Sequence, residues 1–129
     1  MIRVENLNKT YDRRTRHANK VIHDMSFTLP DRGFVCILGA SGCGKTSLLN
    51  AIGGLDSFDS GKIITDTAEI NRVGSRTMER ERNSSFGYIF QNYYLLSEHS
   101  AAYNVYIGMH SMPISKKEKA KRVTDALRR

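Results

Sequence analysis

The sequence contains no tryptophan, only two prolines and only two cysteines in 129 residues. Cys36 and Cys43 are too few for a disulfide scaffold, and a reducing compartment would keep both as thiols. Long hydrophobic runs are missing too. The longest, "FVCILGA" from Phe34, falls far short of the ~20 residues that cross a bilayer, and residues 1–10 have no signal-peptide pattern, so a cytoplasmic chain is expected. His17, His23, His99 and His110 have no metal-ligating spacing and no paired carboxylate, which reads them as surface or loop residues. No internal repeat or low-complexity tract is visible.

What is present is ordinary for a packed globular chain: 40% hydrophobic and 26% charged residues, in a length that suits one modest domain of up to two lobes. Twenty basic residues against 13 acidic ones give a net charge of +7. Seven of the basic residues fall between Arg3 and Arg32 and seven between Lys116 and Arg129. Such clusters suit nucleic acid, an acidic membrane face or a solvated helix surface; the solvated face is the preferred reading, and no nucleic-acid partner is expected.

Along the chain, "IRVENLNKTY" alternates apolar and polar residues at Ile2, Val4 and Leu7 as a half-buried strand does, the basic "DRRTRHANK" reads as a loop, and "VIHDMSFTL" alternates again. These two form the start of an antiparallel lobe. After a turn at Pro30, Asp31 and Gly33, the continuous "FVCIL" reads as a strand buried on both faces. "KTSLLNAI" places Leu48, Leu49 and Ile52 on one helical face, with Gly53 and Gly54 as the stop. "SGKIITD" is expected as a return strand, "GSRTMERERN" as a polar surface helix or turn, and "FGYIF" as another buried strand. "SAAYNVYIGM" has helical spacing closed by Pro113. A last helix starts at the capping-box pair Ser115 and Glu118, with Val123 and Leu127 facing inward.

Between the apolar run and the first helix lies "GASGCGKTS". Gly39, Gly44, Lys45 and Thr46 match G-x-x-x-x-G-K-[ST], with the strand before and the helix after that the motif requires. The glycines let backbone N–H groups turn inward around phosphate oxygens, and the helix N-terminus adds its positive dipole end. Lys45 is placed to reach the β- and γ-phosphates, the Thr46 hydroxyl to coordinate magnesium, and Ser47 to add a hydrogen bond to phosphate. Ala40, Ser41, Gly42 and Cys43 complete the loop. Cys43, beside the Lys45 ammonium and the helix N-terminus, is expected as a thiolate-prone cysteine, and Cys36, in the expected buried strand, as an inert small hydrophobe.

The order "NLNKTY", "GASGCGKTS", "GLDSFDSGKI" and "FGYIFQNYYLL" resembles the first half of an ATP-binding-cassette transporter ATPase, over essentially the whole chain. "FGYIFQNYYLL" is most similar to the export-type subgroup. The resemblance implies ATP and Mg2+ as cofactors. It puts Tyr11 at the family's adenine-stacking aromatic, with Val21 near the same ring, and Gln91 at the glutamine that completes the magnesium shell and orients the attacking water. "NYYLLSEHS" then corresponds to the surface pressed by a transmembrane subunit, although Tyr93, Tyr94, Leu95 and Leu96 could equally be core. Ala40 stands where proline is common, and Ser97 likewise. The implied protein is peripheral to the cytoplasmic face of a membrane through that partner, and pairs with a second ATPase copy.

The fold expected is thus α/β: P-loop NTPase core strands (34–91), an antiparallel β lobe begun at 1–33, and the start of a helical lobe at 92–129, truncated. The family's later parts, an LSGGQ-type signature, a strand ending in Asp-Glu and a switch histidine, do not occur in this sequence. Asp66, ending "KIITD", lacks the adjacent glutamate and reads as structural. Without a base beside the γ-phosphate, the chain alone is expected to bind ATP without hydrolysing it, and hydrolysis coupled to transport is ascribed to the complete protein. The alternatives are a small P-loop kinase or GTPase, whose N-K-x-D motif is not found, and a nucleic-acid-associated ATPase of the same family.

Overall fold

The computed structural model describes residues 1–71, 74–90 and 92–128, which group into two compact units, Met1–Gly87 and Tyr88–Arg129. In the first, strands β1 (Ile2–Tyr11), β2 (Asn19–Leu29), β3 (Ser60–Ile64) and β4 (Glu69–Ile70) form one antiparallel sheet in the order β2-β1-β3-β4. Helices α1 (Lys45–Ile52) and α2 (Arg76–Ser84) complete that unit. The second holds α3 (Ala101–Ile107) and α4 (Lys116–Leu127).

Pleating places every second residue on one face, so Val4 and Leu7 cannot both point inward from a regular strand. Both are buried, and so is Lys9. The conflict is resolved by a bulge: the β1–β2 register shifts between Val4 and Leu7, where Asn6 and Asp24 adopt left-handed φ values of 50° and 44°. Asn and Asp tolerate that region better than other side-chain-bearing residues. The Asn6 amide side chain donates to Asp24 Oδ1 at 3.1 Å, and the Asn6 backbone N–H donates to Ser26 Oγ at 2.8 Å. From β3, Gly61 approaches so closely that a Cβ there would lie 2.5 Å from the Asn6 carbonyl oxygen. The slip turns Leu7 and Lys9 together onto the inner side, and Lys9 becomes part of the site described below.

The core gathers Val4, Leu7, Ile22, Ile63 and Ile70 from the sheet, Leu48, Ala51 and Ile52 from α1, and Met78 from α2. Each fully buried aliphatic side chain contributes about 1.5–3 kcal/mol. Leu49, expected on the inner face of α1, is exposed; Ala51 takes that place, because the buried arc runs through 48, 51 and 52. The tract read as a polar helix or turn is α2, and it is amphipathic: Met78 and Glu81 are buried. Glu81 accepts hydrogen bonds from the Thr65 and Thr67 hydroxyls at 2.9 and 2.6 Å. Those bonds, the one from Thr67 foremost, hold its carboxyl below the usual carboxylate range.

Two expected strands take a different form. No strand is assigned over 34–38 or 86–90; Phe34 and Leu38 are exposed and Ile89 is fully so. A strand buried on both faces takes its ladder bonds and its cover from neighbours on either side, and every strand pairing among the described residues is antiparallel and lies within β1–β4. Cys36 shares this exposure, which corrects its expected burial.

In the second unit, α4 begins as expected, with the Ser115 hydroxyl accepting from the Glu118 N–H, but Glu118 turns to Arg122 at 2.8 Å rather than back to the cap. Val123 and Met109 are buried, whereas Leu127 is exposed, contrary to its expected inward face. Lys119 lies buried with its ammonium on the His110 carbonyl oxygen at 2.8 Å. Helix α3 ends at Gly108, ahead of Pro113, and its Asn104 side chain ties down the preceding segment by bonds to the Leu96 N–H and carbonyl.

Candidate functional site

Helix α1 starts differently from the rest. Its N-cap is Gly44, left-handed at φ 94°, with no side-chain cap, no acidic residue in the first turn and Lys45 as its first residue. A helix start needs partners for its free N–H groups and favours negative charge, so this end is both unsatisfied and electrostatically suited to an anion. Gly44 cannot be replaced in place: a Cβ would lie 2.8 Å from the Val21 carbonyl oxygen.

The loop around this helix start encloses a cleft of about 310 Å³ lined by Val21, Ser41, Gly42, Gly44, Lys45, Thr46 and Ser47. Seven of the expected site residues are therefore brought together. The Lys45 ammonium donates to the Gly39 and Ala40 carbonyl oxygens at 2.8 and 2.6 Å and to Cys43 Sγ at 3.7 Å, so Gly39, Ala40 and Cys43 belong to the loop's internal bracing and do not line the cleft. Tyr11 does not line it either, but its hydroxyl is 3.1 Å from Ser47 Oγ. Gln91 lies outside the described residues. Tyr93, Tyr94 and Leu95 are exposed, the two tyrosines at left-handed φ values of 57° and 48°; of the two readings left open for that segment, surface holds in its own unit.

The sequence reading missed Asp56 and Lys9. Asp56 Oδ2 accepts from Lys9 Nζ and from the Tyr11 hydroxyl, both at 2.9 Å, and Oδ1 accepts from the Ser57 N–H at 2.7 Å. Burial works against the charge of Asp56, but the bonds from Lys9 and Tyr11, the Lys9 charge and the Ser57 amide outweigh it and hold the carboxyl below its usual range. Lys9 also sits 4.4 Å over the Tyr11 ring. The one available sequence signal was the two-residue spacing of Lys9 and Tyr11, which sets them on one face of β1.

A cleft of similar size, about 330 Å³, lies at the chain start, where the amino terminus pairs with Asp31 and Asp66 at 2.7 and 2.6 Å; it has no phosphate-binding element. Among the described residues no group of His, Cys, Asp and Glu could hold a metal ion, and no helix is long and apolar enough to cross a membrane.

The chain as a whole is similar to known proteins. The chain is 34% identical over 128 residues to the spermidine/putrescine import ATP-binding protein PotA of Haemophilus influenzae, covering 99% of this chain and 32% of that protein. It is 42% identical over 87 residues to the macrolide export ATP-binding/permease protein MacB of Campylobacter jejuni, covering 67% of this chain and 14% of that one. Its structure resembles the dimeric ATP-binding cassette MJ0796 bound to ADP and Pi, with a TM-score of 0.84, 27% identity, and coverage of 99% of this chain and 56% of that one. It also resembles cbiO1 of Clostridium perfringens, part of the transporter complex cbiONQ, with a TM-score of 0.71, 30% identity and coverage of 98% and 49%. The chain thus spans about half the length of these cassettes and less of the curated relatives. The α/β fold is that of an ATP-binding cassette, and with the ABC transporter family model matching residues 22–129, the chain belongs to the ABC transporter family.

Proposed function

We propose that residues 39–47 bind the triphosphate of Mg-ATP and that the chain is the ATP-binding portion of a transporter subunit that couples ATP hydrolysis to transport. The observation that carries this is the start of α1: a glycine-capped helix end with no side-chain cap, opening into a cleft lined by Lys45, Thr46 and Ser47. Lys45 neutralises the β- and γ-phosphates, backbone N–H groups of the loop bind phosphate oxygens, and Ser47 adds a hydroxyl. Tyr11 stacks on adenine with Val21 beside it.

The donor set fits magnesium held mainly by phosphate and water rather than by a protein cage: a hydroxyl at Thr46 lines the cleft, and no carboxylate cluster stands among the described residues. Thr46, with Gln91 as the second ligand, would hold the ion, which when bound neutralises charge on the phosphates. Gln91 also orients the attacking water. The exposed Tyr93, Tyr94 and Leu95 fit contact with a transmembrane subunit, and a second ATPase copy completes the enzyme at the cytoplasmic face of a membrane. The relatives include one named for import and one for export, so similarity to them favours neither direction of transport.

Titration calorimetry of the chain with Mg-ATP tests the assignment: wild type binds, and Lys45→Ala abolishes binding. Equal binding by the two proteins would show that this loop is not the site.

A further inference from the structure

Three contacts fix the ring of Tyr11. Its hydroxyl is held by Asp56 at 2.9 Å and lies 3.1 Å from Ser47 Oγ, and one face is covered by the Lys9 ammonium at 4.4 Å. A phenol has one proton, and a carboxylate is a stronger acceptor than a hydroxyl. The proton therefore goes to Asp56, and the phenolic oxygen rests against the Ser47 hydroxyl, whose own single proton stays available for a phosphate oxygen. Lys9 is almost wholly buried, with 4% of its side chain exposed, so it needs Asp56 as its counter-charge and cannot swing away from the ring at low cost. The set links β1, the loop after α1 and the first turn of α1, and it covers one face of the Tyr11 ring.

We propose that Asp56 is a positioning residue for base recognition: with Lys9 it locks the Tyr11 ring in one orientation against Ser47, so that affinity for the base of a nucleotide, and not for its triphosphate, depends on Asp56. This rests on the nucleotide-binding reading above and adds a determinant outside the phosphate loop. The orientation of a stacking ring matters because the favourable geometry is offset and face-parallel. A ring free to turn about its side-chain bonds must be ordered each time a base binds, at a cost in affinity.

The test is calorimetry of the chain with Mg-ATP and, separately, with magnesium tripolyphosphate, which has the phosphates and no base. Asp56→Asn is expected to weaken Mg-ATP by about fivefold to tenfold, a part of the ~1–3 kcal/mol that base stacking supplies, with tripolyphosphate unchanged within about twofold. Because Asp56→Asn removes the counter-charge of a buried lysine, Tyr11→Phe serves as the second variant. It leaves no charge unpaired, keeps the stacking face and loses only the tether, and it should show the same split. Adding Asp56→Asn to Tyr11→Phe should then cost little more. Equal weakening of both ligands, or no weakening by Tyr11→Phe, would overturn the positioning role without overturning the assignment of the phosphate loop, which rests on binding by the wild type. Failure of wild type to bind either ligand would instead overturn the nucleotide-binding reading, and this role with it.

Discussion

Four helices begin among the described residues, and one begins unlike the other three. Helices α2, α3 and α4 each start at a serine in extended conformation, Ser75, Ser100 and Ser115, whose hydroxyl accepts from the N–H three residues on. Two of them add a glutamate in the first turn, Glu79 and Glu118. Helix α1 has a left-handed glycine, no cap and a lysine in that turn. Every helix start faces the same shortage of partners for its first N–H groups. Three meet it from their own side chains at about 1 kcal/mol each, and the fourth leaves it to whatever enters the cleft. The contrast separates three helix starts satisfied by their own serine side chains from one that has no side-chain cap and that, on the reading proposed above, receives phosphate.

The largest effect should follow from making α1 resemble its neighbours. Gly44→Ser supplies the hydroxyl that caps the other three, but at φ 94° and with its Cβ 2.8 Å from the Val21 carbonyl oxygen. A side chain in that region costs about 1–2 kcal/mol before the clash is counted. The expected outcome in calorimetry is a loss of magnesium tripolyphosphate affinity of about tenfold or more. Unchanged affinity would mean that the glycine start is incidental to phosphate binding.

The converse substitution should do less and do it elsewhere. Ser75→Ala removes the cap of α2, whose hydroxyl accepts from the Met78 N–H at 3.2 Å, and is expected to lower unfolding free energy by about 1 kcal/mol in urea melts. Mg-ATP affinity of the folded protein should stay within about twofold. A stability loss near zero would remove the distinction between the two kinds of helix start.

Much of this was legible because local chemistry decides it. The strands β1 and β2 follow from alternation, α1 from the phosphate-loop motif, and α4 from Ser115. Long-range partners decide the rest. Leu7 breaks the alternation of β1, and only the bulge opposite Asp24 shows how it comes to be buried. "FVCIL" and "FGYIF" are apolar enough for buried strands, but a strand becomes one only with neighbours on both sides. Hydrophobicity alone therefore did not tell an exposed run from a covered one. Asp56 was passed over because its partners, Lys9 and Tyr11, stand more than forty residues away in sequence. Glu81 lies within a tract that is polar in sequence, and its burial depends on Thr65 and Thr67, whose hydroxyls bond to it from outside the helix.

The smallest predicted effect concerns the first turn of α4. Glu118 pairs with Arg122 at 2.8 Å, and that bond, with the charges of Arg122 and Lys121, outweighs desolvation and holds its carboxyl below the usual range. A carboxylate whose folded value is depressed contributes stability at pH above its unfolded value, and that contribution disappears as pH falls through the folded one. The helix dipole acts in the same sense, since a negative charge near an N-terminus is favoured. Amide exchange of α4 should therefore speed up, relative to the intrinsic rate, as pH is lowered below the ordinary glutamate range. Glu118→Gln should remove that step, and added salt should shrink it because the pair is exposed. A pH step that survives Glu118→Gln would assign it to another group and remove Glu118 as the source of the pH dependence of this helix start.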